Sequence, residues 1–281
     1  MKTIGFVDYY ISEWHANNYP VWFREICEKC GKDFEVKYAW AEEYTSPVDG
    51  RNTDEWCEAF GVERCATIEE LCEKADYIIV LAPSNPEKHL EYVKTVFKYK
   101  KNTYVDKTFA PDYATAKEIF NVAEKYGTKF FSSSALRYAS ELDALTGARS
   151  VITIGGGGSL DEYIIHQAEM LVKLVGADPT ALTVTLKGSG QYILNVDFEG
   201  GKCGTMIYAN GIGFAVCAEN ENGESRYTGI ASDYFKALLS DILRFFEEGV
   251  ASFDAGETLS VMKLREMAVI GSRELGKTIK I

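Results

Sequence analysis

Residues 75–131 read ADYIIVLAPSNPEKHLEYVKTVFKYKKNTYVDKTFAPDYATAKEIFNVAEKYGTKFF. Tyr77–Ala82 is an unbroken apolar run of strand length. A run without alternation suits a strand buried on both faces. Pro83 to Asn85 interrupt it. Glu87–Tyr99 then reads as a helix and Asn102–Asp106 as the next strand. Asp112–Tyr126 reads as a helix stopped by Gly127, and Lys129–Ser132 as a further strand. Strands alternating with helices over short connections predict a parallel sheet with crossover helices.

The same rhythm extends towards the N-terminus. Thr3–Val7 and Glu35–Trp40 read as strands. Tyr19–Cys30 reads as a helix, with apolar residues at 19, 22, 23, 26, 27 and 30 and Gly31 as its stop. Asn52–Phe60 reads as a helix, and Thr67-Ile68-Glu69-Glu70 is a capping box that opens another. Beyond residue 133 the pattern changes. A strand at Val151–Ile154 leads through four glycines into a helix at Leu160–Val175. Candidate strands follow at 181–187, 190–198, 202–209, 212–219 and 225–230, separated by turns such as Glu199-Gly200-Gly201 and Asn222-Gly223. These read as antiparallel hairpins. Helices return at Tyr234–Glu247 and Thr258–Leu275. The switch from crossovers to hairpins predicts two domains, 1–133 and 134–281.

The chain has 281 residues and a formal charge of −12, with 46% apolar and 26% charged residues. Collagen-like, mucin-like and disordered chains need a stronger bias. A chain of this length buries roughly 75% of its unfolded surface, so its core needs no staples. Up to residue 133 there are 17 basic and 23 acidic residues, and beyond it 13 and 19. Neither part is a basic module, which argues against a nucleic-acid partner. No apolar run reaches the roughly 18 residues of a membrane helix, and MKTIGFVDYY lacks the apolar core of a signal peptide. Seven cysteines in such a chain fit a reducing, cytoplasmic compartment.

A dinucleotide loop should follow the first strand as G-x-G-x-x-G. Asp8 and Tyr10 stand at glycine positions there, and Ile11 follows. A carboxylate would repel a phosphate and a tyrosine ring would fill its space. Glu42, after the second strand, reads either as a ribose-binding acid or as a solvated loop acid. The glycines at 155–158 read as a phosphate nest, a hinge or a site of close packing. In the helix that follows, Glu162, His166, Glu169 and Lys173 form one polar stripe. They read as a solvated face or as a histidine steered for proton transfer. Lys107 follows a strand, where ligands gather in open α/β sheets. It reads as a group that polarises a substrate oxygen or as a surface partner of Asp106. His15 and His89 flank helices near the same sheet end. Cys27 and Cys30 lie on an apolar helix stripe with no second pair, so packing is favoured and no metal site is expected.

Residues 75–131 resemble the strand, Pro/Asn loop, His-containing helix and E-K-P motif of the Gfo/Idh/MocA oxidoreductases, with Asp106-Lys107-Thr108 at E-K-P. EYIIHQAEMLVKLVG resembles the family's D-x-x-x-H helix, with Glu162 and His166 at the Asp and His. ETLSVMKLREMAVIGSRELGKTIKI resembles its closing helix and strand. The resemblance implies an α/β chain: an N-terminal Rossmann-like domain and a C-terminal α+β domain with an open, largely antiparallel sheet. It implies hydride transfer between NAD or NADP and a sugar- or cyclitol-like alcohol. Lys107 would polarise the substrate oxygen, His166 would shuttle its proton, and Glu162 would orient His166 or the substrate. Asp8, Tyr10, Ile11, Glu42, Pro83, Asn85, His89 and Asp106 would line the cofactor. It also implies homo-oligomers formed through the open sheet. The alternative is a non-redox binding or regulatory protein that retains the fold without the dinucleotide.

Overall fold

The computed structural model describes all 281 residues. By contact the chain divides into two compact units, 1–133 with 236–252, and 134–235 with 253–281.

The first unit begins with β1 (Lys2–Asp8), α1 (Trp14–Cys30), β2 (Phe34–Ala41), α2 (Thr53–Phe60) and β3 (Glu63–Arg64). It continues through α3 (Ile68–Lys74), β4 (Tyr77–Val80), α4 (His89–Val96), β5 (Thr103–Val105), α5 (Tyr113–Tyr126) and β6 (Phe130–Phe131). All six strands are parallel, in the order β3-β2-β1-β4-β5-β6. The chain order reverses between β1 and β4, and in such sheets a crevice opens there at the carboxyl ends of the strands. Ile4, Phe6 and Val7 of β1, Ile78 to Val80 of β4, and Tyr104 and Val105 of β5 are buried. Apolar runs rather than alternation thus mark strands covered on both faces. Each large apolar side chain contributes about 1.5–3 kcal/mol on burial.

The helices form where caps and stops dictate. Asn52 and Glu55 make a reciprocal capping box on α2. Asp112 caps α5, and Gly127 ends it in the left-handed region, where a Cβ would be strained.

The second unit comprises β7 (Ser150–Gly155), α6 (Leu160–Val175), β8 (Pro179–Gly188), β9 (Gln191–Phe198), β10 (Cys203–Tyr208), β11 (Ala215–Glu219) and β12 (Ser225–Gly229). After α7 (Tyr234–Glu248) it closes with α8 (Ala255–Arg273) and β13 (Thr278–Lys280). The strand order is β12-β11-β7-β10-β9-β8-β13. Only β7 and β10 pair in parallel. Val151, Leu194, Met206 and Val216 are buried on one face with Leu171 and Leu174 of α6. The other face carries Ile152 and Tyr227, 37% and 66% exposed.

Most of α7 belongs to the first unit, because its apolar stripe packs there. Tyr77 stacks on Phe246 at 4.7 Å, Phe131 meets Phe245 at 4.9 Å, and the Asn102 amide donates to the Phe246 carbonyl at 2.9 Å. Besides the unforeseen strand β3 and the shortening of α4 to His89–Val96, two features depart from the sequence reading. First, α1 begins at Trp14 instead of Tyr19, because Glu13 supplies the cap for an extra turn of low apolar periodicity. Second, residues 135–145 form 3-10 turns that no hydrophobic period announces.

Candidate active site

In the first unit, the carboxyl end of β1 carries Asp8. Its Oδ1 accepts the Tyr9 N–H at 2.7 Å and the Ala82 N–H at 3.0 Å, which ties β1 to the end of β4. Its Oδ2 is buried with no hydrogen-bond partner. Burial and the nearby Glu13 charge push the Asp8 carboxyl well above the usual range.

Glu13 stands three residues after Tyr10, at the third glycine position of the fingerprint. Sequence reasoning stopped at the first two, although the spacing pointed to this one. The Glu13 carboxylate accepts the His15 N–H at 2.7 Å and the Ala16 N–H. These are the donors that the start of a helix leaves open. Burial raises the Glu13 carboxyl despite the neighbouring His15.

His15 Nδ1 donates to Asp106 Oδ2. The imidazole stacks on Tyr19 at 5.2 Å, and the Tyr19 hydroxyl is buried without a partner. Asp106 Oδ1 accepts the Lys107 N–H at 2.8 Å and lies 3.1 Å from the Tyr104 hydroxyl. Burial opposes the Asp106 charge, but His15 and Lys107 outweigh it and hold the carboxyl low. Lys107 is half-buried just past β5, and its peptide bond to Thr108 is cis.

The remaining expected cofactor residues are placed as follows. Ile11 is buried and Tyr10 half-buried, its ring 5.8 Å from that of Tyr9. Glu42 accepts Lys88 Nζ at 2.5 Å and the Tyr92 hydroxyl at 2.7 Å. It is thus an exposed loop acid that is also held by two side chains. Pro83 is half-buried, and Asn85 donates to Glu87 Oε1 at 3.0 Å. His89 is fully buried, with Nδ1 on the Phe109 carbonyl at 3.0 Å and Nε2 on the Leu81 carbonyl at 2.5 Å. Both ring nitrogens serve the backbone, so this histidine ties β4 to the segment after β5. No group of three or more His, Cys, Asp or Glu is arranged to hold a metal ion.

In the second unit, the polar stripe of α6 is drawn into the fold. His166 Nδ1 lies 2.6 Å from Ser134 Oγ, and the imidazole meets the rings of Tyr163 and Phe214 edge-on at 5.6 and 5.8 Å. Glu169, 3% exposed, accepts the Ser134 N–H at 3.3 Å and Arg137 Nη1 at 2.9 Å. Arg137 also pairs with Glu257 and lies over the Phe253 ring at 3.8 Å. Lys173 donates to the Arg137 carbonyl at 2.8 Å. The solvated-face reading fails for His166, Glu169 and Lys173, because the 134–143 segment packs on that stripe. Glu162 is half-buried in the first turn, where its N–H donates to Ser159 Oγ at 3.4 Å.

Packing explains three of the four glycines before α6, those at 155, 156 and 157. A Cβ at Gly156 would lie 1.9 Å from the Ala209 carbonyl oxygen, and at Gly157 it would lie 2.2 Å from the Tyr163 ring.

Residues 45–134 match the model of the Gfo/Idh/MocA oxidoreductases, described as an oxidoreductase family with an NAD-binding Rossmann fold. Among solved structures, the chain is similar to a myo-inositol dehydrogenase from Corynebacterium glutamicum. The identity is 12% and the TM-score 0.78, over 100% of this chain and 98% of that one. An aldose-aldose oxidoreductase from Caulobacter crescentus, complexed with glycerol, is 15% identical with a TM-score of 0.75, over 100% and 99%. GenD2 of gentamicin A biosynthesis, in complex with NAD, is 12% identical with a TM-score of 0.75, over 100% and 96%. At such identities the likeness establishes the fold. No curated protein matches the chain.

A dinucleotide on such a sheet brings its pyrophosphate to the N-terminus of the first helix. Here the residues do not fit it. The His15 and Ala16 donors already hold Glu13, and Asp8 adds a second acid there, buried, whose Oδ1 is taken by backbone amides and whose Oδ2 offers no donor to an anion.

Proposed function

We propose that this chain is an oxidoreductase acting on a CH–OH group of a sugar- or cyclitol-like alcohol. NAD or NADP is the hydride carrier implied by the resemblance and by the matching family model. Given the acidic turn at β1, it would be held other than through a pyrophosphate at α1. The carrying observation is the pairing of His166, on α6, with Ser134, in a chain that also keeps Lys107 just past β5. In this reading Lys107 polarises the substrate oxygen and His166 exchanges its proton. Glu162 acts on His166 or on the substrate. The second unit is the substrate domain, and its exposed sheet face takes a second copy of the chain. The seven free thiols fit the reducing cytoplasm.

The test is calorimetric titration with NAD+, NADH, NADP+ and NADPH, with and without candidate polyols, followed by turnover assays. Binding of one form is expected. His166→Ala should lower kcat by about 10²–10⁴-fold, the usual worth of a positioned acid or base. Absence of binding by every form would overturn the proposal.

One observation favours a second reading. The self-capped α1 suits a non-redox protein that binds a sugar-like ligand on the retained fold. It predicts polyol binding that survives Lys107→Ala, with no turnover to lose.

A further inference from the structure

We infer that Ser134 is the positioning residue of His166, fixing which imidazole nitrogen faces the substrate; the inference rests on the oxidoreductase reading. The family pattern directs attention to the carboxylate four residues earlier, at Glu162. The geometry points across the chain as well, to a serine 32 residues away in sequence at 2.6 Å from Nδ1.

Two residues of α6 hold Ser134, and they are spaced i and i+3, so they share a helix face. His166 meets its hydroxyl and Glu169 accepts its N–H. Glu169 is fixed by buried Arg137, which is anchored by Glu257 and by the Phe253 ring. Ser134 is 1% exposed and caps the 3-10 turn at Ala135–Tyr138, accepting the Leu136 N–H at 3.3 Å. The hydroxyl therefore has a fixed position and little freedom to leave it.

A hydroxyl carries one proton and two lone pairs. Leu136 uses one lone pair, and the other can accept Nδ1–H. With Nδ1 protonated and bound, Nε2 is the basic nitrogen, ready to take a proton from an alcohol. When Nε2 gains that proton the imidazolium still donates from Nδ1, and the same bond persists. Ser134 thus serves both protonation states without adding a charge. A carboxylate in its place would favour the imidazolium and hold the proton on the ring.

The chain has only three histidines, so the idea is testable by NMR independently of catalysis. In protein labelled with 15N-histidine, long-range 1H–15N spectra report the tautomer of each ring, and His166→Gln assigns its signals. Ser134→Ala should move the His166 nitrogens towards a mixture of tautomers, while His15 and His89 stay in place and certify the fold. Ser134→Thr, which keeps the hydroxyl, should restore the wild-type pattern. In turnover assays Ser134→Ala should lower kcat about tenfold or more with KM changed less than twofold, and Thr should rescue it.

Unchanged His166 signals in Ser134→Ala would overturn the inference. So would a changed tautomer with unchanged kcat, which would leave the serine a structural cap. If the wild-type protein turns over no polyol, the oxidoreductase reading fails on its own, and the spectra still decide whether Ser134 fixes the ring.

Discussion

The turns β1–α1 and β7–α6 each carry a strand into a helix, yet they are built from opposite residues. The first holds acids and aromatics where a phosphate cradle has glycines. Glu13 caps its helix, and Asp8 lies buried beside it. The second holds four consecutive glycines and a serine cap. Composition alone would assign the anion site to the second turn. The geometry assigns it to neither. In the first turn Glu13 occupies the helix amides itself, and Asp8 holds the Tyr9 and Ala82 amides beside it. The glycines of the second admit the Ala209 carbonyl and the Tyr163 ring. A glycine run thus marks close approach of any neighbour, of which a phosphate is only one.

The largest effect expected from this contrast is at Gly156. A methyl group there would press on backbone rather than on a side chain able to swing away. Gly156→Ala should destabilise the protein near the upper end of the ~1–3 kcal/mol typical of overpacking. Urea unfolding measures it. A cost below about 0.5 kcal/mol would show that the β10–β11 connection yields and that the glycines have another purpose.

The contrast also shows what could be read in advance. The parallel sheet was legible because Tyr77–Ala82 has no polar alternation and because Gly31 and Gly127 mark helix ends. A change of period after residue 133 marks where the first segment of the first unit ends, whereas nothing in the pattern of α7 announces that residues 236–252 return to that unit. Glu13 was legible in principle, since G-x-x-G counted on from Tyr10 lands on it, but an acid before a helix ordinarily signals a cap and nothing more. Ser134 was not legible at all. Its partner lies a strand and a glycine run away, and the 3-10 turns that carry it have no hydrophobic period. For the same reason the α6 stripe resembled a solvated face, because a helical pattern records polarity and not what packs on it. His89 misled in the opposite direction. Its place after the Pro/Asn loop suggested a ligand contact, and only the two carbonyls at its nitrogens show a structural tie.

A second prediction probes the acidic turn. Native Asp8 keeps its proton to higher pH than an unfolded aspartate does. The native state therefore binds more protons above the unfolded value of about 4, and stability falls as pH rises from there through the native value. Asp8→Asn retains an oxygen for the Tyr9 and Ala82 amides and removes the charge. It should stabilise the protein at neutral pH, because a neutral amide costs less to bury than a carboxylate, with the gain fading towards pH 4. Unfolding midpoints of both proteins across that range test it. A gain independent of pH would mean that the charge of Asp8 is not the source.

The smallest effect is expected at the cap of α6. Replacing a serine cap by alanine costs about 0.5–2 kcal/mol. Ser159 Oγ accepts the Glu162 N–H at a long 3.4 Å, whereas Glu13 takes two amides of α1. Asp161 and Glu162 in the first turn already complement the helix dipole at α6, while the first turn of α1 has no acid of its own beyond the cap. Ser159→Ala should therefore fall at the low end, near 0.5 kcal/mol, and leave the His166 signals unmoved, since Ser134 and not the cap fixes that ring. A loss above about 1.5 kcal/mol, or a shifted His166 resonance, would show that the glycine turn orders α6 as tightly as Glu13 orders α1, and the contrast between the two turns would narrow to composition alone.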